Sequence, residues 1–297
     1  MLAKDLFPRI GYTEGMISAY REQKEILGDR LEVLARETVA KALPFLDSCQ
    51  KARTLIPEMD SNTADLMFIL ECTGYLLKKY QAAGIPEALF YTAMQDIRCK
   101  TAECLSVRKV FGTFVAHWYH GFFAMTRFAF GRLQFDVTHH TGESLTVCGH
   151  TVAEGDLVLN CHIPSLGSLP HNACLDSYRS ACAFFAQELK AGKLVVRCNS
   201  WMLMPDYIPI FQKNAPNIYR FAQDFVILQQ KEAATFTDGW RIFGVDVTDR
   251  NPAGLPADTR LRRGFLEHIT TGGKFGNGIG YLLFDGRQVL TKNRYTA

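Results

Sequence analysis

Apolar positions in the first 130 residues recur at steps of three and four. In DLMFILECTGYLLKKY (65–80), Leu66, Ile69, Leu70, Thr73, Leu76, Leu77 and Tyr80 fall on one helix face. Asp60, Ser61, Asn62 and Thr63 stand in front of that segment and supply N-cap side chains. YTEGMISAYREQKEIL and DRLEVLARETVAKAL carry the same period on either side of Gly28 and Asp29. PEALFYTAMQDIRC predicts a further helix with Pro86 in its first turn. Pro44, Pro57 and Pro86 lie between periodic segments, where helices start or stop. VFGTFVAHWYHGFFAMTRFAF (110–130) is apolar almost throughout, about as long as a bilayer is thick. His117, His120 and Arg127 make a membrane span costly, so this stretch is expected to form a core helix buried among the others.

The period changes after Gly131. RLQFDVTH alternates, with Leu133, Phe135 and Val137 on one side, and ESLTVCG and DLVLNCHI read as further short strands. A helix is expected from about Ala173 to Lys190, with Leu175, Tyr178, Cys182, Phe185 and Leu189 on its inner face. KLVVRCNSW is the next strand, PNIYRFAQDFVIL a helix started by Pro216, and WRIFGVDV a strand. DTRLRRGFLEHI is a helix capped by Asp258 or Thr259, and GYLLFDGRQVL a strand or a hairpin around Asp285 and Gly286. GGKFGNGIG (272–280) reads as a mobile connection. The fold class expected is α+β: an all-helical domain over 1–130, then a mixed sheet with helices packed on it over 131–297.

Hydrophobic residues make up 47% of the chain and charged residues 21%, a globular composition. A net charge of +3 gives no case for bulk nucleic-acid binding. The nine cysteines are odd in number, contain no CxxC and show no scaffold spacing. With no apolar signal region in MLAKDLFPRI, the expected setting is a reduced, cytoplasmic one, with no membrane span.

Three places invite chemistry. In CHIPSLGSLP (161–170) a strand gives way to a small-residue turn and then to a helix. That order aims free backbone N–H groups and the helix dipole at an anion such as a pyrophosphate, although many such turns bind nothing. Cys161 and His162 are neighbours on a strand, so their side chains point to opposite faces and cannot act on one another. His162 ends its strand, where ligands meet α/β sheets. His139, His140, Cys148 and His150 match no metal-ligand spacing, and no metal is expected. GGKFGNGIG is neither a P-loop nor a dinucleotide fingerprint.

Five segments in one order resemble a known group: GRLQFDV (131–137), CHIPSLGSLP (161–170), CNSWMLMP (198–205), PNIYRFAQDF (216–225) and GLPADTRLRRGFLEHITTGG (254–273). Together they resemble bacterial acyltransferase-domain proteins, in which a helical N-terminal domain precedes a GNAT-like domain. The resemblance implies an acyl-CoA-dependent N-acyltransferase. Acetyl-CoA or another acyl-CoA would be the co-substrate and a small-molecule amine the acceptor. It implies that the pantetheine arm lies between DLVLNCHI and KLVVRCNS, with the pyrophosphate on Ser165, Leu166, Gly167 and Ser168. Asn199 and Asn217 would hold the cofactor, Tyr219 would protonate the leaving thiolate, and His162 would be the base, with Asp224 as a weaker option. The turn departs from the usual family pattern, with one glycine and with Pro170 removing a donor. A non-catalytic GNAT-like ligand-binding or sensor protein is the alternative that this departure leaves open.

Overall fold

A computed structural model describes residues 2–165, 167–247 and 252–292. The chain forms two compact units, one of residues 1–129 with 164–166, the other of 130–163 with 167–297. The first is helical: α1 (Leu2–Ile10), α2 (Glu14–Leu27), α3 (Glu32–Ala40), α4 (Phe45–Leu55), α5 (Ser61–Ala82), α6 (Glu87–Arg108) and the single turn α7 (His120–Phe123). Asp60 caps α5 by accepting from the backbone N–H of Asn62 and Thr63. Leu66, Met67, Phe68 and Ile69 are all fully buried, so α5 is the central helix, against which α3, α4 and α6 pack.

The second unit is built on a six-stranded sheet. Its strands are β1 (Arg127–Phe130, of which only Phe130 falls in this unit), β2 (Leu133–His139), β5 (Leu157–His162), β6 (Leu194–Ser200), β7 (Val226–Ala233) and β8 (Phe275–Phe284), in the spatial order β1-β2-β5-β6-β8-β7. A separate hairpin joins β3 (Leu145–Val147) to β4 (His150–Val152). Its turn residues Cys148 and Gly149 both have positive φ, 47° and 76°, as a two-residue I′ turn requires. The helices are α8 (His171–Phe184), α9 (Ile208–Asn214), α10 (Pro216–Gln223), α11 (Trp240–Phe243) and α12 (Arg260–Thr270). Tyr178 of α8 is fully buried between Phe135 of β2 and Phe284 of β8. On the opposite face the hairpin lays Val147 and Val152 over Val158, Val195, Ile279, Tyr281 and Leu283.

Five expectations need correction. Residues 110–130 do not form one helix. Thr113 donates to the carbonyl of Asn62, and Gly112 lies so close that a Cβ would meet the Asn62 carbonyl carbon at 2.5 Å. The stretch breaks into a 3-10 turn, α7 and β1, because an all-apolar run satisfies a buried strand as well as a buried helix. The helix expected to reach Lys190 ends at Phe184, and its buried stripe runs through Cys174, Ser177, Tyr178, Ala181 and Cys182. The helix from Pro216 stops at Gln223, and the chain from Val226 enters β7, whose polar, exposed residues carry no alternation to announce an edge strand. WRIFGVDV holds the turn α11 in place of a strand, and in GGKFGNGIG the residues from Phe275 on are the start of β8 in place of a loose connection.

Candidate functional site

β5 and β6 are parallel and central, and their ladder is short. It pairs Leu159 with Val196 and Asn160 with Arg197, and there it ends. Beyond that rung, Cys161 and His162 stay paired to Phe135 and Gln134 of β2. Cys198, Asn199 and Ser200 stay paired to Gly280, Ile279 and Gly278 of β8. Each strand keeps its outer neighbour while the inner ladder stops, so toward their C-terminal ends the two strands are no longer paired to one another, a notch in the sheet's hydrogen bonding.

Alternation decides what lines the notch. Leu159, Cys161, Val196 and Cys198 share the face covered by α8 and are buried there. Burial drives the Cys161 thiol well above its ordinary range, and its hydrogen bond with Cys198 adds to this, which makes it inert. Asn160, His162, Arg197 and Asn199 share the other face. The pairing sets Asp136, Asn160 and Arg197 along one rung of three strands. Two residues on from Asn160, the imidazole of His162 reaches back to that rung. Its Nε2 lies 2.8 Å from Asp136 Oδ2 and 3.0 Å from the amide nitrogen of Asn160. Protonated, Nε2 donates to Asp136; deprotonated, it accepts from Asn160. Arg197 Nη1 donates to Asn160 Oδ1 at 3.4 Å.

The turn after β5 divides. Ser165 belongs to the first unit, where its hydroxyl donates to Glu103 Oε1. Leu166 lies outside the described residues. Gly167 has φ of 90° with open space around its α-carbon, and Ser168 is exposed. Arg132 donates to the carbonyls of Ser168 at 2.9 Å and Gly167 at 3.3 Å, which brings a guanidinium to the turn. α8 then begins after Pro170 with no side-chain cap, so the N–H groups of its first turn have no side-chain acceptor there. An uncapped helix start beside a cation is chemically suited to an anion.

His171, the first residue of α8, holds Asp224 at the end of α10 through Nε2, 3.0 and 2.9 Å from the two carboxylate oxygens. Burial raises the Asp224 carboxyl, and His171 opposes that shift. Asp224 thus fastens α10 to α8. Tyr219 and Asn217 lie on α10, which also packs on the turn Trp201–Leu203 after β6. Tyr219 is half-buried and Asn217 exposed, and among the described residues neither side chain makes a hydrogen bond. The structure therefore brings His162 and Asn199 to the two lips of the notch and puts Tyr219 and Asn217 on a helix beside the end of β6. Nothing in the local sequence marks Asp136, Arg132, Arg197 or His171, because each meets a partner far along the chain. Among the described residues, no group of His, Cys, Asp and Glu could hold a metal ion, and no helix is long and apolar enough to cross a membrane.

Comparison with known proteins gives a consistent result. A family model described as a GNAT-like C-terminal domain matches residues 128–282, and one described as an N-acyltransferase N-terminal domain matches residues 1–125. Among solved structures, an acyltransferase in complex with decanoyl-CoA is similar at a TM-score of 0.68 and 17% identity, over 94% of this chain and 86% of that one. An acyltransferase with decanoyl-CoA and teicoplanin matches at 0.68 and 16%, over the same shares of 94% and 86%. A mutant acyltransferase with octanoyl-CoA matches at 0.61 and 17%, over 95% and 99%. At these identities the likeness is one of fold. A search of curated proteins gave no match.

Proposed function

Because the chain belongs to the family that joins an N-acyltransferase N-terminal domain to a GNAT-like C-terminal domain, we propose that it moves the acyl group of an acyl-CoA thioester directly onto an amine. The observation that carries this reading is the end of the β5–β6 ladder at Asn160 and Arg197. A notch between two central parallel strands, each still held on its outer side, is a rigid seat for an extended pantetheine arm.

In this reading the pyrophosphate lies on the backbone N–H groups of Gly167, Ser168 and the start of α8, near Arg132. Asn199 and Asn217 hold the arm. The neutral amine attacks the thioester carbon, and His162 takes the proton that the nitrogen loses. A main-chain N–H in the notch stabilises the oxyanion. The C–S bond then breaks, and Tyr219 returns a proton to the thiolate. Asp136 orients the imidazole. Solved relatives of this fold hold decanoyl-CoA and octanoyl-CoA, which makes these the first donors to try.

Two measurements test the proposal. Decanoyl-CoA at about a hundred times its dissociation constant stabilises a one-site protein by roughly 2.7 kcal/mol, so melting should move up by several degrees. CoA release with an amine panel should then fall about a hundredfold in His162→Gln and measurably in Tyr219→Phe. No melting shift with any CoA thioester ends the acyltransferase reading. A shift without turnover favours the non-catalytic sensor instead.

A further inference from the structure

The sheet face that carries His162 also bounds an open cavity of about 700 Å³. Asn160 and Arg197 line it, with Val158, Ile279 and Tyr281 from the neighbouring rungs, and the loop 138–145 forms a wall. Arg197 is half-buried, and no acidic side chain among the described residues lies within ion-pair distance of it. Its one side-chain hydrogen bond there goes to a neutral acceptor, Asn160 Oδ1, at 3.4 Å. The carboxylate on the same rung, Asp136, stands two strands away and is engaged by His162.

A guanidinium has five donors in a planar fork that matches a carboxylate, and taking it partly out of water without a counter-charge is unfavourable. Arg262, also half-buried, answers this with a carboxylate of its own chain, that of Asp258 at 2.5 Å. Among the described residues Arg197 has none, and it faces a space large enough for a small molecule. Resting on the acyltransferase reading above, we propose that the acceptor carries a carboxylate next to its amine, as an α-amino acid does, and that Arg197 binds that carboxylate.

Position supports the assignment. Arg197 sits on the last rung before the notch, where the thioester end of the arm arrives. Asn160 bridges Arg197 and His162, at 3.4 Å on one side and 3.0 Å on the other. A carboxylate on Arg197 therefore sets an amine two bonds away beside both the imidazole and the thioester. Arg197 discriminates among acceptors, and His162 handles the proton. The apolar surface of Val158, Leu228 and Tyr281 suits an acceptor with an apolar side chain.

The test uses the full chain with decanoyl-CoA and pairs of acceptors that differ only in the carboxylate: phenylalanine with phenethylamine, and tryptophan with tryptamine. CoA release and acyl product are read by chromatography and mass spectrometry. The expected result is a kcat/KM ratio of roughly 30 or more in favour of the amino acid, falling to near one in Arg197→Gln, as a lost charge-assisted pair implies. Because the readout is a ratio, a partly folded variant does not distort it. Equal use of both members of each pair, or transfer to neither, overturns the proposal. So does a preference of wild type, but not Arg197→Gln, for succinyl-CoA over butyryl-CoA with the amine pairs undistinguished, since the carboxylate then belongs to the donor. If decanoyl-CoA neither shifts melting nor loses CoA, the acyltransferase reading itself falls. If it is spent on amines regardless of carboxylate, only the present proposal does.

Discussion

Gly278 pairs with Ser200 at the open end of the notch. A Cβ at this position would lie 1.9 Å from the carbonyl oxygen of Leu203 and 2.5 Å from its carbonyl carbon. Non-bonded carbon contacts relax at about 3.5 Å, so Gly278→Ala must push the backbone of Trp201–Leu203 by roughly 1.5 Å. That turn cannot yield cheaply. Leu203 and Met204 are fully buried, and Trp201 packs on Phe211 and Phe265. Overpacking against backbone costs about 1–3 kcal/mol, and a unit of this size loses about 2–4 °C of melting temperature per kcal/mol. The melting temperature followed by circular dichroism should therefore fall by roughly 2–12 °C. The melting shift given by decanoyl-CoA should shrink as well, because the displaced turn continues directly from the lip of the notch. Gly15→Ala in α2, where the nearest side-chain atom is 4.0 Å away, is the control and should raise stability by about 0.5–1 kcal/mol. A Gly278→Ala protein that melts within about 2 °C of wild type and keeps its response to decanoyl-CoA would refute the packing argument.

Three further outcomes are expected. Asp136→Asn should lower kcat about tenfold at unchanged KM for decanoyl-CoA, because the imidazole loses its orienting carboxylate while the notch keeps its shape. Burial, then Lys193 and Lys190, hold His150 below its ordinary value of 6.5, with Asp156 opposing. The unfolded chain therefore binds more protons below that value, stability falls as pH drops from about 6.5, and His150→Gln should flatten the fall in denaturant titrations at pH 7 and pH 5. Of the nine cysteines, Cys148 is exposed and the other eight are buried, so brief alkylation of the native protein should label Cys148 first and leave acyl transfer intact. Loss of transfer on labelling Cys148 alone would revive a thiol mechanism.

What the sequence determined by itself is the local part. The three-and-four spacing of α5, the run of capping side chains ahead of α5 and of α12, from which the structure takes Asp60 and Thr259, and the alternation in β2, β5 and β6 are properties of contiguous residues, and a helix or strand of adequate length expresses them wherever it lies. His162 at the end of its strand was legible for the same reason. Tertiary structure decided everything that depends on a distant partner. The apolar run at 110–130 breaks because Gly112 and Thr113 meet the start of α5. β7 forms because β8 offers it an edge, with no apolar alternation of its own to signal it. Asp136 meets His162 across 26 residues, Arg132 meets Gly167 across 35, and His171 meets Asp224 across 53. Most of all, the early end of the β5–β6 ladder is invisible in either strand, because each keeps regular strand geometry while the sheet pairs it on the outside and releases it on the inside.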